Sequence, residues 1–204
     1  MPLKKSLKKA AAIQQPFSLL YCIHESIVVL IFGSPAHLSK ALLRPHISYE
    51  GAQLKGPLKG LNFPFEFYKS WAHSVTDFSE EESKVFDFLN TLDPLPEYLL
   101  AAIKGDSSTL YHEWAHAQYF LKESIRQLAS ELYTHLPEQV KKSVDHELYM
   151  RGYKTQVYVD EFQAYLLESP QDFGKKWAHL LKPHHDLLRR TIPRPVLQFR
   201  AMGE

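Results

Sequence analysis

Apolar positions follow two rhythms along this chain. Residues 27–32, Ile-Val-Val-Leu-Ile-Phe, are continuously apolar and mostly β-branched. That is the pattern of a strand buried on both faces. The apolar run begins earlier, at Phe17, but His24, Glu25 and Ser26 interrupt it. It falls short of the roughly 20 residues a membrane-spanning helix needs. It predicts a helix turn leading into the strand. Gly33-Ser34-Pro35 ends that strand, and residues 36–43 predict a short helix stopped by Arg44-Pro45. Residues 46–54 and 61–68 are set among Gly51, Gly56, Pro57, Gly60 and Pro64, which predicts two short strands joined by tight turns.

The second rhythm is helical. Ser79 followed by Glu82 forms a capping-box signature, and Val85, Phe86 and Leu89 give the helix after it an inward face. Pro94 and Pro96 introduce a stretch at 97–104, closed by Gly105, that reads as a short helix. Asp106, Ser107, Ser108 and Thr109 offer N-caps for a long helix running to about residue 133. Within it Leu110, Ala117, Phe120, Leu121, Ile125, Leu128 and Leu132 recur at three- and four-residue steps, marking one face as core. Pro137 suits the first turn of a further helix ending at Gly152. Residues 153–159 fit either a strand or an extended linker. Helices follow over 160–168, 172–181 and 184–190, and Pro193 and Pro195 break an extended tail at 191–204.

These elements predict a helix-rich α+β fold with a small N-terminal sheet and its helices concentrated towards the C-terminus. The expected organisation is a flexible basic arm at 1–15 and one domain at 16–204. That domain divides into a sheet-containing part at 16–95, a helical part at 96–190 and the tail at 191–204. The tail is short enough to lie across a cleft and restrain it.

Composition narrows the function classes. At 204 residues, with 45% hydrophobic and 23% charged residues, the chain has the material for one sizeable core. A net charge of +1 with neutral histidines gives no electrostatic case for nucleic acid. The single cysteine, Cys22, forbids an intrachain disulfide and suits a reducing compartment. A cytoplasmic location is therefore the expectation. No feature sets an oligomeric state.

The chemistry concentrates at His112-Glu113-Trp114-Ala115-His116, an HExxH pattern inside the long predicted helix. Residues four apart lie on one helix face. His112 and His116 can reach one ion, with Glu113 beside it as general base. Catalytic zinc takes three protein ligands and leaves one position for water. Tyr119 and Lys122 stand where the metzincin pattern needs Gly and His, so that arrangement is excluded. The best third candidate is Glu161, carried by a downstream helix in Asp160-Glu-Phe-Gln-Ala-Tyr165. Small Ala164 on the same face would let the two helices approach closely.

Together, Leu110-Tyr-His-Glu-Trp-Ala-His-Ala117 and Asp160-Glu-Phe-Gln-Ala-Tyr165 resemble the gluzincin-type zinc metallopeptidases, in particular compact one-domain members. The resemblance covers about residues 100–170. It implies a zincin-like fold in which an active-site helix packs on C-terminal helices. It implies one Zn2+ ion held by His112, His116 and Glu161, with Glu113 as base and a peptide or protein substrate. Larger gluzincins carry Asn-Glu where this chain has Asp160-Glu161, a departure that bears on substrate class more than on metal binding. For the donor that steadies the oxyanion, Tyr158 and His146 rank first among Tyr153, Tyr158, Tyr165 and His146. Asp160 either orients a ligand histidine or caps its own helix.

Two other readings stand beside the peptidase. One is a catalytically silent zinc-binding domain that serves as a protein-interaction module. The other is a helical domain in which the motif is coincidental. Metal content, chelator sensitivity and the effect of replacing Glu113 separate the three.

Overall fold

The computed structural model describes residues 18–51 and 57–202; the expected basic arm lies outside them. A mixed five-stranded sheet has the order β3-β4-β2-β1-β5. Its strands are β1 (Leu19–His24), β2 (Ile27–Phe32), β3 (Gly60–Pro64), β4 (Tyr98–Ile103) and β5 (Arg200–Ala201). β2 pairs parallel with β4, while β1–β2, β1–β5 and β3–β4 are antiparallel. The fold is helix-rich α+β, as the element pattern predicts. No helix among the described residues is long and apolar enough to cross a membrane.

Side chains alternate across the sheet and create two cores. Val28, Leu30 and Phe32 of β2, with Leu99 and Ala101 of β4, pack under the first three helices. These are α1 (Pro35–Glu50), α2 (Phe65–Ser74) and α3 (Glu80–Asn90). Ile27, Val29 and Ile31, with Tyr98, Leu100 and Ala102, face the remaining helices. Those are α4 (Ser107–Leu121), α5 (Glu123–Thr134), α6 (Glu138–Arg151), α7 (Tyr158–Glu168) and α8 (Ala178–Thr191). The β2 residues are all buried, as a strand covered on both faces requires.

Several elements differ from the sequence expectation. The segment before β2 is not a helix turn but β1, joined to β2 by a tight hairpin in which Glu25 takes φ 54°. α1 does not stop at Pro45. It runs on to Glu50 and closes at Gly51 in the left-handed conformation. Proline forfeits one helical hydrogen bond. Leu38, Ala41, Leu42, Pro45 and His46 are nevertheless all buried on one helical face, and that packing outweighs the loss. Residues 46–50 are therefore helix, whereas the expected strand at 61–68 is β3 followed directly by α2.

The stretch expected as a helix before Gly105 is β4, a central strand. Its Leu-Leu-Ala-Ala core has high helix propensity, but it is six residues long and bounded by prolines and a glycine. Short apolar runs of this kind cannot be assigned by periodicity. Here β2 and β3 on either side supply its ladder partners. The long helix expected to reach residue 133 breaks at Lys122, which is extended (φ −116°, ψ 110°). The Arg126 guanidinium caps the freed end of α4 by donating to the Tyr119 and Phe120 carbonyls. Residues 155–157 form a short 3-10 turn rather than a strand. One helix, α8, passes through Pro183, where two were expected, and a 3-10 turn at Pro170–Phe173 precedes it. The capping box at Ser79 and Glu82, the start at Pro137, the cap at Gly152 and the stop after Glu168 match their sequence signals.

The tail pairs with β1 through Arg200 and Ala201. It occupies the sheet edge opposite β3, and it is β3 that adjoins the histidine helix.

Candidate metal centre

α4 and α7 pack against each other, and Ala115, Ala117 and Ala164 are fully buried. Asp106 caps α4 by accepting from the Thr109 backbone N–H. This places His112, Glu113 and His116 one turn further along, beside β3 and α7. From α7, Asp160 and Glu161 project back towards the two imidazoles.

One ligand atom from each of His112, His116 and Glu161 lies within 4.8 Å of the others, the one such group among the described residues. The two Nε2 atoms are 3.1 Å apart. Glu161 oxygens lie 3.8 Å from His116 Nε2 and 3.9 Å from His112 Nε2. Ligands around a tetrahedral zinc are separated by about 3.3 Å, given the usual zinc–nitrogen distances. The donor set and its spacing fit one divalent ion. Glu161 Oε2 is buried with no hydrogen-bond partner, an unsatisfied oxygen that a cation would satisfy.

A neighbouring acid orients His116, and a second stands near His112. His116 Nδ1 is 2.8 Å from Asp160 Oδ1, which also accepts from Gln163 Nε2 at 3.2 Å. That contact places the proton on Nδ1 and turns Nε2 towards the cluster. Val157, not Asp160, is the N-cap of α7, so the orienting role is the one the geometry supports. On His112, Nδ1 faces Glu168 Oε2 at 3.9 Å, and Ser108 steadies Glu168 by donating to its other oxygen. Glu168 is one heptad beyond Glu161 on the same helix. That seven-residue spacing is the sequence signal for it.

Burial alone would push His116 down, but Asp160 and Glu161 beside it overcome this and hold it up at about 10. His112 is driven well below its ordinary value by burial and by the neighbouring His116. In the metal-free protein the 3.1 Å contact is therefore His116 Nε2–H donating to neutral His112. Burial also raises Glu113 and Glu161, each to about 7.

The consequence for stability has a definite sign. His116 is raised in the fold, so its contribution is full below pH 6.5 and is lost as pH climbs towards 10. Glu113 and Glu161 are raised too, and their contribution disappears between pH 4.5 and about 7. His112, lowered, acts oppositely, but only below pH 6.5. Above that pH every effect in the cluster runs one way. The chelated protein should lose Tm steadily between pH 6.5 and 9, while zinc, by displacing the protons, should hold it nearly level. A chelated Tm that is flat or rising over this range would contradict the assignment.

The other expected site residues divide. Tyr158 is buried in the helical core on the side of Tyr133, and His146 is exposed on α6. Neither joins the cluster. The nearby hydroxyls are those of Tyr153 and Tyr165, 3.1 Å apart. Tyr153 lies against the Glu161 carboxylate, and the Tyr165 ring meets His112 edge-on at 4.6 Å. The Arg151 guanidinium lies over the Tyr165 ring at 4.3 Å and holds it in place. Burial pushes both tyrosines up, so both remain donors at neutral pH.

Glu113 points to the sheet. Its Oε2 accepts from Asn62 Nδ2 of β3 at 2.7 Å. A Cβ on Gly60 would lie 2.6 Å from Glu113 Oε1 and 2.3 Å from Thr109 Cγ2, so glycine permits the strand to run this close to the helix. No local sequence pattern announces Asn62, because 51 residues separate it from Glu113.

No protein-family model, characterised protein or solved structure matches the chain.

Proposed function

We propose that this protein is a zinc-dependent metallopeptidase of gluzincin type with a zincin-like arrangement of helix and sheet. The observation that carries the reading is the convergence of His112 and His116 from α4 with Glu161 from α7; Glu113, next to His112 on α4, lies close enough to His116 to feel its charge. Bound there, zinc would polarise the scissile carbonyl and lower the pKa of a water molecule to near neutrality. Glu113 is outside the ligand trio and so is free to act as a base. In that role it would take a proton from water and pass it to the leaving amine. Tyr153 and Tyr165 share one hydrogen bond, which leaves one hydroxyl proton of the pair for a developing oxyanion. Among the described residues β3 pairs only with β4. It supplies a strand edge along which an extended peptide can align by backbone pairing.

The test is metal analysis with a hydrolysis assay on unfolded protein and peptide mixtures. One zinc per chain and cleavage abolished by chelator are expected. Substoichiometric zinc, unchanged by His112→Ala, would overturn the metal site. Stoichiometric zinc with no cleavage would instead assign a silent zinc-binding domain.

A further inference from the structure

The sheet meets Glu113 through β3, at Gly60 and at Asn62. Asn62 lies opposite Leu100 in the β3–β4 ladder, which makes Tyr98 its diagonal neighbour on the same face. The Tyr98 hydroxyl donates to Asn62 Oδ1, and Asn62 Nδ2 donates to Glu113 Oε2. Tyr98 is itself buried and packed against Phe120 at 4.9 Å. The tyrosine therefore has little freedom to release the amide. Reversing the amide would set Asn62 Oδ1 against a carboxylate oxygen, two acceptors face to face.

We infer that Asn62, locked by Tyr98, is a positioning residue that fixes the carboxylate plane of Glu113. This deepens the peptidase reading and rests on it for its kinetic consequence. One carboxylate oxygen is taken by Asn62. Glu113 therefore cannot swing about its last torsion, and the other oxygen keeps one setting relative to α4. Few side chains meet both demands. The residue must donate to Glu113 and accept from Tyr98 on a short stem. Aspartate has no donor when ionised and would place a second carboxylate against the first. Alanine leaves both partners unpaired. Glutamine is a methylene too long for a strand that lies in contact with the helix at Gly60.

The role differs from ordinary packing in what it predicts. With the carboxylate free to rotate, Asn62→Ala should lower kcat about tenfold to a hundredfold, with KM within twofold and zinc content unchanged. Tyr98→Phe should produce a smaller loss of kcat. It should add nothing in the Asn62→Ala background, because it acts only through the amide. A merely structural Asn62 would instead move Tm and zinc content, with kcat and KM drifting together.

A second measurement does not depend on turnover. In the zinc-loaded full chain, one Asn62 side-chain amide proton should resonate downfield of ordinary asparagines. It should return towards them in Glu113→Ala and broaden in Tyr98→Phe. An amide signal indifferent to both substitutions overturns the inference, as does an unchanged kcat in Asn62→Ala or full additivity of the two variants. If the wild-type protein hydrolyses nothing, the peptidase reading fails, and the amide signal alone decides whether the clamp exists.

Discussion

Glu113→Gln should leave one zinc per chain and reduce peptide hydrolysis by about 10²- to 10⁴-fold, the range typical of a lost general base. The substitution is nearly isosteric. The Gln carbonyl can still accept from Asn62, and residue 113 is outside the ligand trio. Only the ability to take a proton disappears. The stability of the variant should move the other way. Glu113 is raised from 4.5 to about 7 by burial, so ionising it at pH 8 costs roughly 3 kcal/mol relative to a neutral side chain. A higher Tm at pH 8 in chelator, together with lost turnover of the zinc-loaded variant, would mark a residue kept for chemistry at the expense of stability. Turnover within tenfold of wild type would remove Glu113 from the mechanism.

The second large effect separates two ligands by the sign of their effect on the metal-free protein. His116→Ala and Glu161→Gln should each abolish stoichiometric zinc binding, since two ligands remain in either case. Without metal they should diverge. His116 is buried and paired with Asp160. Removing it leaves acidic groups without their counter-charge and should cost roughly 3 kcal/mol or more. Glu161 is raised to about 7 by burial, and its Oε2 has no partner, so its neutral isostere should stabilise the chelated protein at pH 8. Thermal melts of both variants in chelator, alongside zinc analysis, check this. A shift in the same direction for both would mean that the cluster is held by something other than the charge balance described.

The grouping of His112, His116 and Glu161 was legible because its parts are short-range. His112 and His116 need only the helical repeat, and Glu161 needs only a helix that can return to the first. Asp160 was legible as one of two roles, and the structure selects the one that touches His116. The surrounding support was not. Asn62 and Tyr98 reach Glu113 through strand register, which no local pattern encodes. Ranking Tyr158 above Tyr153 picks the wrong tyrosine because residues 153–159 have no readable conformation in the sequence. Once the 3-10 turn at Thr155–Val157 is in place, Tyr158 turns into the core and Tyr153 turns to Glu161. β4 was missed for a related reason: Leu and Ala favour helix until neighbouring strands offer them a ladder. In α1, Pro45 looked like a stop because its buried face could not be weighed against one lost hydrogen bond.

The sheet that separates the two cores would also separate two responses to metal. Every metal-cluster residue belongs to the layer of α4–α8, while α1–α3 pack on the opposite face. An ion joining α4 to α7 would tie together segments 45 residues apart in the chain, and would do so within one layer. Losing it should release that layer into local openings while the other keeps its own side-chain contacts. Backbone amides of α7 should then exchange with solvent faster after chelation, and those of α3 at an unchanged rate. The protein would respond to metal as two unequal slabs, one little changed and one whose order depends on an ion.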